Sequence, residues 1–189
     1  MNSISFDHSR FDAAIVDLDG TMVDTLGDFA VSLNHMLDDL ALPRVDPAAV
    51  ERMVGKGSEH LILSALAHAM TPAGAADAAG VRAKAQALFD RAWERYQHHY
   101  LGINGQHSAV YPGVIEGLKA LRARGLRLAC LTNKPTSFAK PLLAAKGLDG
   151  FFELVFGGDA FERKKPDPLP LLKTCEALLV ASAELRGQL

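Results

Sequence analysis

Three short apolar segments, each followed by glycine or polar residues, constrain the fold of this chain most strongly. Their lengths suit buried strands rather than helices. They comprise residues 11–18, 126–131 and 151–156. Helices are predicted around the last two, over residues 114–124, 137–146 and 168–179. This alternation of strands and helices predicts an α/β fold with a Rossmann-like parallel sheet and right-handed crossovers.

A block of helical sequence interrupts the alternation after the first strand. Apolar residues recur at helical spacing over residues 26–40. Further helices are predicted over residues 58–70, with Ser58 as the N-cap, and over residues 78–100. Because no convincing strand lies in this block, we predict an all-helical insertion. It follows the first strand directly, where it could cover a site at the strand end as a lid.

The insertion divides the chain into three predicted parts. These are a first core segment over residues 1–24, a helical cap over residues 25–105 and a second core segment over residues 106–189. Trp93 and Tyr96 lie in the cap sequence and are most simply part of its hydrophobic core. The chain is long enough to bury a core of this kind.

Two carboxylates follow the first strand in the segment Asp17-Leu18-Asp19-Gly20-Thr21. Side chains two positions apart share one face of a strand, and ligands of open α/β sheets bind beyond the carboxyl ends of the strands. One carboxylate at such a place can attack phosphorus, and the second can exchange a proton with the leaving oxygen and with water. Gly20 permits a sharp turn, and Thr21 can bond to phosphate. An Asp-Gly turn without function is the simpler alternative, although the full pattern is more specific.

Polar residues also follow the second and third strands. The hydroxyl of Thr132 and the amide of Asn133 can donate hydrogen bonds to phosphate oxygens, or they can cap the helix that follows. Lys164 and Lys165 come after the third strand, where a lysine can neutralise phosphoryl charge. A solvated loop is the alternative for this pair. Lys165, which directly precedes a proline, is the better candidate.

Four motifs together resemble the haloacid dehalogenase superfamily of phosphohydrolases, and within it the phosphoglycolate phosphatase group. They are Asp17-Leu18-Asp19-Gly20-Thr21-Met22-Val23-Asp24-Thr25, Tyr111-Pro112-Gly113, Leu131-Thr132-Asn133-Lys134 and Lys165-Pro166-Asp167-Pro168.

The resemblance assigns roles to several of these residues. It implies that Asp17 is the nucleophile, that Asp19 is the general acid and base, and that Lys165 is the catalytic lysine. Thr132 would bind phosphate with Asn133 beside it. Mg²⁺ would be held by Asp17 and by the main-chain carbonyl of Asp19. The presence of Asp19 favours a phosphatase or phosphomutase over a dehalogenase.

The resemblance also implies a substrate loop in the cap, formed by Gly55, Lys56 and Gly57. The backbone N–H groups of such a loop, ahead of a helix, suit a small carboxylate; a simple linker between helices is the alternative. The expected function is Mg²⁺-dependent hydrolysis of a small phosphorylated acid, with 2-phosphoglycolate as the leading substrate. A sugar-phosphate phosphatase, a β-phosphoglucomutase-like enzyme, or a relative that binds phosphate without turnover are the alternatives.

The chain departs from this family at its C-terminal segment. The family pattern has a further strand ending in Gly-Asp, whose acids bind the metal, but residues 180–189 contain no Asp and no apolar strand run. We therefore expect the parallel sheet to be incomplete at this side and the 189 residues to have weak or no phosphatase activity unless a neighbouring chain completes the site. We also expect the exposed sheet edge to drive self-association.

Composition excludes several other functions. The formal net charge of −2 gives no basic field for nucleic acid, and no apolar stretch approaches the length of a membrane span. Cys130 and Cys175 lie in apolar segments, so we expect two buried, reduced thiols. The polar N-terminal segment does not resemble a signal peptide. A cytoplasmic location is the resulting expectation.

Overall fold

The computed structural model describes residues 11–71 and 78–186 of the chain. Within them the chain forms seven α-helices: α1 (Leu26–Asp39), α2 (Pro47–Glu51), α3 (Ser58–Met70), α4 (Ala78–Ile103), α5 (Val114–Ala123), α6 (Thr136–Ala145) and α7 (Leu169–Arg186). The strands of the same residues are β1 (Ala13–Val16), β2 (Val23–Asp24), β3 (Ala109–Val110), β4 (Arg127–Leu131) and β5 (Leu154–Phe156). A 3₁₀ turn, Asp149–Phe151, precedes β5.

The main sheet is parallel, as predicted, and its strand order is β1-β4-β5. In the register of the sheet, Val16 lies opposite Cys130, and Leu131 lies opposite Phe156. All three strands therefore end at the same edge. The predicted α/β class is confirmed. β1 is shorter than predicted at both ends, whereas β4 and β5 end at the predicted residues and begin later; before β5, residues 149–151 form the 3₁₀ turn.

A small antiparallel pair joins the two ends of the helical insertion. Val23 of β2 lies opposite Val110 of β3, and Asp24 lies opposite Ala109. Gly20 has a φ of 72° and donates its backbone N–H to the carbonyl of Val23. This left-handed turn brings the chain from the sheet edge into β2, which fixes where the insertion begins and ends.

Buried apolar side chains form two clusters, one among α1–α4 and one around the parallel sheet. The first includes Tyr96 and Tyr100 of α4 and extends to Phe138 of α6. Trp93 packs against it as a partly buried side chain, so both aromatic residues predicted for the cap core contribute to it. We call α1–α4 the cap and the remaining elements the core. The exact domain boundaries stay a prediction, and their ends at residues 1–10 and 187–189 lie outside the described residues.

Several helix ends differ from the predictions, and α4 ends at Ile103 rather than at residue 100. The residue before α3 is Gly57, with a φ of 88°, and Ser58 is the first helical residue rather than the N-cap. Helix α7 continues to Arg186, seven residues past its predicted end. Residues 180–186, where the family pattern has a further strand, therefore continue a helix.

The outer edge of β1 has no strand partner among the described residues. Its four residues are half-buried, whereas Leu128 to Leu131 of β4 are buried. Self-association through this edge stays a prediction. In the described part of the chain, no helix is both long and apolar enough to cross a membrane.

The expectation of two buried thiols is wrong for Cys175. Cys130 lies buried in the central strand, but Cys175 is exposed on α7. Pro170, Thr174 and Leu178 of this helix are buried. The residues that follow them, Leu171, Cys175 and Leu179, are exposed. The apolar sequence around Cys175 did not reveal which side of the helix it occupies.

We predict that the two thiols differ sharply in reactivity. Burial raises the pKa of Cys130 to about 12, and thiol reagents attack the thiolate. Ellman's reagent should therefore titrate one thiol in the native protein and a second only after denaturation. The variant Cys175→Ser should show no reactive thiol in the native state; rapid reaction of that variant would contradict the placement of Cys130.

Candidate active site

The carboxyl ends of the parallel strands bring together side chains that are far apart in the sequence. Asp17 follows β1, Thr132 follows β4, and the backbone N–H of Thr132 donates to the carbonyl of Phe156 at the end of β5 at 3.0 Å. A small cavity of about 40 Å³ lies at this edge, beneath the cap. We call it the strand-edge cavity, and its lining is Asp17, Asp19, Phe29, Val54, Gly55, Gly57, Ser58, Leu61, Thr132, Asn133 and Lys134.

Asp17 is held by a lysine from the loop after β5. Its Oδ1 lies 2.9 Å from the Lys165 Nζ and accepts the backbone N–H of Leu18 at 2.8 Å. The same ammonium donates to the main-chain carbonyl of Leu131 at 2.8 Å. One carboxylate oxygen of Asp17 is thus fixed, and Oδ2 has no hydrogen-bond partner among the described residues.

Asp19 is held by a second lysine, Lys134, which follows β4. The Lys134 Nζ donates to Oδ1 of Asp19 at 3.0 Å. The lysine side chain is 1% exposed and the aspartate side chain 14% exposed. The two carboxylates of the first motif are therefore bound by two separate lysines.

Aromatic rings of the cap enclose Lys134. Its Nζ lies 4.4 Å from the ring centroid of Phe29 and 4.7 Å from that of Tyr100. Burial lowers the pKa of Lys134, and the negative charge of Asp19 opposes this shift. The quadrupoles of the two rings also favour the cation. Sequence reasoning gave Lys134 no role, although it stands in the quoted second motif next to Thr132 and Asn133.

Asn133 fixes the loop that carries Lys165. Its Oδ1 accepts the backbone N–H of Lys165 at 3.0 Å, and its Nδ2 donates to the backbone carbonyl of Lys165 at 2.9 Å. Its side chain thus binds both backbone polar groups of Lys165. Thr132 is 3% exposed and its Oγ1 accepts the backbone N–H of Lys134 at 3.1 Å. The Thr132 hydroxyl donates to no acceptor among the described residues, so its proton remains available to a ligand.

The cap contributes a glycine loop to the cavity. Gly55 and Gly57 line it together with Ser58, the first residue of α3. Because a glycine precedes α3, no side chain of residues 11–71 or 78–186 caps its first turn. The helix therefore presents free N–H groups to the cavity. The amide of Asn133 also donates to the carbonyl of Gly55 at the long distance of 3.4 Å, which joins the loop to the core.

Four of the predicted site residues, Gly20, Thr21, Lys56 and Lys165, do not line this cavity, although Lys165 contacts Asp17 there. Gly20 lies at a separate depression beside β2, and Thr21 and Lys56 are exposed. The structure therefore gathers Asp17, Asp19, Lys165, Thr132, Asn133, Gly55 and Gly57 at one place. Lys164 lies apart from them, 3.7 Å from Glu59 of the cap in an exposed ion pair.

The oxygen atoms at the strand edge fit a hard divalent cation. Oδ2 of Asp17 and the main-chain carbonyl of Asp19 have no hydrogen-bond partner within the described residues, and Mg²⁺ commonly binds one or two protein oxygens together with waters and substrate phosphate. No group of three or more His, Cys, Asp or Glu side chains suited to a metal occurs within residues 11–71 and 78–186. The donor set is therefore compatible with such a cation but small.

Comparison with known proteins decides the family. Residues 14–185 match the Haloacid dehalogenase-like hydrolase family. The chain belongs to this family. The predicted family is confirmed by this match.

Curated relatives of the chain are phosphatases. A phosphoglycolate phosphatase of Thiobacillus denitrificans is 40% identical over 173 residues, which cover 92% of this chain and 72% of the relative. A plasmid-encoded phosphoglycolate phosphatase of Cupriavidus necator is 41% identical over 172 residues, which cover 91% of this chain and 69% of the relative.

A solved structure is also similar. The crystal structure described as a predicted phosphoglycolate phosphatase from Haemophilus somnus superposes with a TM-score of 0.78 and 33% identity. The match covers 89% of this chain and 72% of that structure. These relatives confirm the prediction of an enzyme of the phosphatase class, and phosphatases of this family generally need a divalent metal ion.

We predict that Gly158 holds the strand-edge loops in register. A Cβ at this position would lie 2.3 Å from the main-chain oxygen of Asn133. Gly158→Ala should therefore displace the loop of Asn133 and lower the free energy of unfolding by about 1–3 kcal/mol in chemical denaturation. In the matched variant Gly150→Ala the added methyl group meets nothing within 4 Å, so its stability should stay near that of the wild type. Equal stabilities of the two variants would contradict this close packing.

Proposed function

We propose that this protein is a Mg²⁺-dependent phosphomonoester hydrolase that works through an aspartyl-phosphate, with 2-phosphoglycolate as its substrate. The observation that carries the proposal is the pair of carboxylates at one strand end, each bound by its own lysine. Lys165 lies 2.9 Å from Asp17 and Lys134 lies 3.0 Å from Asp19. Two carboxylates in different environments are what nucleophilic catalysis combined with acid–base catalysis requires.

The first half of the proposed reaction transfers the phosphoryl group. A carboxylate oxygen of Asp17 attacks phosphorus, and the bond from phosphorus to the ester oxygen breaks. The leaving oxygen takes a proton from Asp19, so that an alcohol departs. Lys165 and the hydroxyl of Thr132 neutralise and orient the phosphoryl oxygens.

The second half releases phosphate. Asp19, now a carboxylate, removes a proton from water as the water oxygen attacks phosphorus. The bond from phosphorus to Asp17 breaks, which yields inorganic phosphate and restores the Asp17 carboxylate. The same two side chains therefore complete the cycle without any other acid or base.

The divalent cation in this proposal is Mg²⁺. Asp17 and the main-chain carbonyl of Asp19 would hold it, and when bound it would neutralise charge on the phosphoryl group. The oxygen-only donor set supports Mg²⁺ over a softer metal. Because only two of its ligands would come from the described residues, we expect a low affinity and slow turnover.

The cavity supports a small anionic ester. The free N–H groups at the start of α3 suit a carboxylate group at the end opposite the phosphate. A two-carbon phosphorylated acid carries one anion at each end.

We predict weak hydrolysis that depends on Asp17 and on Mg²⁺. Asp17→Asn removes the nucleophilic charge, so release of phosphate from 2-phosphoglycolate should fall at least 10²-fold, a loss typical of a missing catalytic group. The matched variant Asp149→Asn changes an exposed carboxylate of the core and should keep the wild-type rate. The measurement is phosphate release over long incubations, with EDTA as the metal-free arm.

The same assay separates the proposed substrate from its competitors. A panel that contains glucose phosphates, p-nitrophenyl phosphate and 2-phosphoglycolate should show the highest kcat/KM with 2-phosphoglycolate. Faster hydrolysis of a sugar phosphate would overturn the substrate assignment. Equal rates for the wild type and Asp17→Asn would overturn the nucleophile.

A further inference from the structure

We propose that Lys134 is a positioning residue for Asp19 and that the cap sets its position. The inference rests on the proposed function, since it explains how the acid–base carboxylate of that reaction is aimed. It adds a residue to which the resemblance gives no role. It rests on one observation: the buried ammonium of Lys134 contacts Asp19 on one side and the cap rings of Phe29 and Tyr100 on the other.

The contact with Lys134 distinguishes the two oxygens of Asp19. Oδ1 accepts the Lys134 ammonium at 3.0 Å, and Oδ2 has no hydrogen-bond partner in the described part of the chain. Asp19 lines the strand-edge cavity with Asp17. Because Lys134 occupies Oδ1, the proton given to the leaving oxygen must travel through Oδ2. The lysine thereby fixes both the rotation of the carboxylate and the oxygen that reacts.

Contacts with the cap hold the Lys134 side chain in place. A lysine side chain is flexible in solvent, but this one is 1% exposed and lies against the rings of Phe29 and Tyr100. Phe29 belongs to α1 and Tyr100 to α4, whereas Lys134 follows β4 of the core. The two rings therefore surround the Lys134 ammonium only while the cap packs on the core. The position of the cap thereby controls the orientation of the Asp19 carboxylate.

Packing alone does not explain a lysine at this position. A buried ammonium loses its hydration and is costly unless it is paired, and an apolar side chain of similar volume often replaces a buried ion pair without loss of stability. Within the described residues its Nζ donates one hydrogen bond, to Asp19. The pairing thus serves the carboxylate, which is the group that the proposed reaction needs in a fixed orientation.

The decisive experiment compares leaving groups. p-Nitrophenolate leaves without protonation, whereas the alkoxide of 2-phosphoglycolate needs the proton from Asp19. Lys134→Met should therefore lower kcat/KM for 2-phosphoglycolate about 10²-fold more than for p-nitrophenyl phosphate. Phe29→Leu, which removes one ring, should move the same ratio in the same direction by a smaller factor. Lys140→Met, at an exposed position of α6, should leave the ratio unchanged.

Equal losses on the two esters would mean that Lys134 is merely structural and would overturn the proposal. If Lys134→Met does not fold, the ratio measured for Phe29→Leu decides in its place. Failure of the proposed function has a different signature, because the wild type would then release phosphate from neither ester.

A second arm needs no turnover. Thermal unfolding of Lys134→Met, Asp19→Asn and the double variant forms a double-mutant cycle. We expect the double variant to be at least as stable as the less stable of the two single variants, since each change removes the same contact. Additive losses of stability would show that the two side chains are not coupled and would overturn the proposal even for an inactive chain.

Discussion

The two lysine–aspartate contacts at the strand edge are the interaction on which the site depends. Asp17 and Asp19 stand two residues apart, and without counter-charges their repulsion would disfavour two ionised carboxylates in one cavity. Lys165 and Lys134 approach Oδ1 of Asp17 and Asp19, respectively, from different loops. Parallel pairing of β1, β4 and β5 makes this possible, because it ends all three strands at one edge.

The cap and the core are joined at the same place. The Asn133 side chain bonds to the backbone N–H and carbonyl of Lys165 and also donates to the carbonyl of Gly55 in the cap loop. A second junction lies at the base of the insertion, where the buried carboxylate of Asp28 accepts the backbone N–H groups of Gly105 and His107 at 2.8 and 2.7 Å. The cap is thus fixed both at the cavity and at its connection to the core. The cavity, the two carboxylates and the glycine loop are therefore held in place together.

The sequence was sufficient to predict the alternation of strands and helices, the helical insertion and the edge at which Asp17 and Thr132 meet. These features follow from local apolar patterns and from the polar residues at strand ends. The role of Lys134 could not be predicted, because its partner Asp19 lies 115 residues away and its ring contacts come from helices whose packing no local pattern reveals. From its helical spacing in the sequence, Phe29 could be recognised only as a core residue. Strands of two residues, such as β2 and β3, are too short to show the alternation of apolar and polar residues that predicts a strand.

We propose different roles for the two aspartates, Asp17 as the nucleophile and Asp19 as the acid and base. Chemical trapping of the intermediate in Asp19→Asn tests these roles most directly. p-Nitrophenyl phosphate needs no proton for its leaving group, so this variant should still transfer the phosphoryl group to Asp17 but should hydrolyse it slowly. Quenching with borohydride reduces an aspartyl-phosphate to an alcohol, which peptide mass spectrometry detects. We expect reduction at Asp17 alone and only after exposure to the ester; release of p-nitrophenol without a reduced Asp17 would rule out Asp17 as the nucleophile.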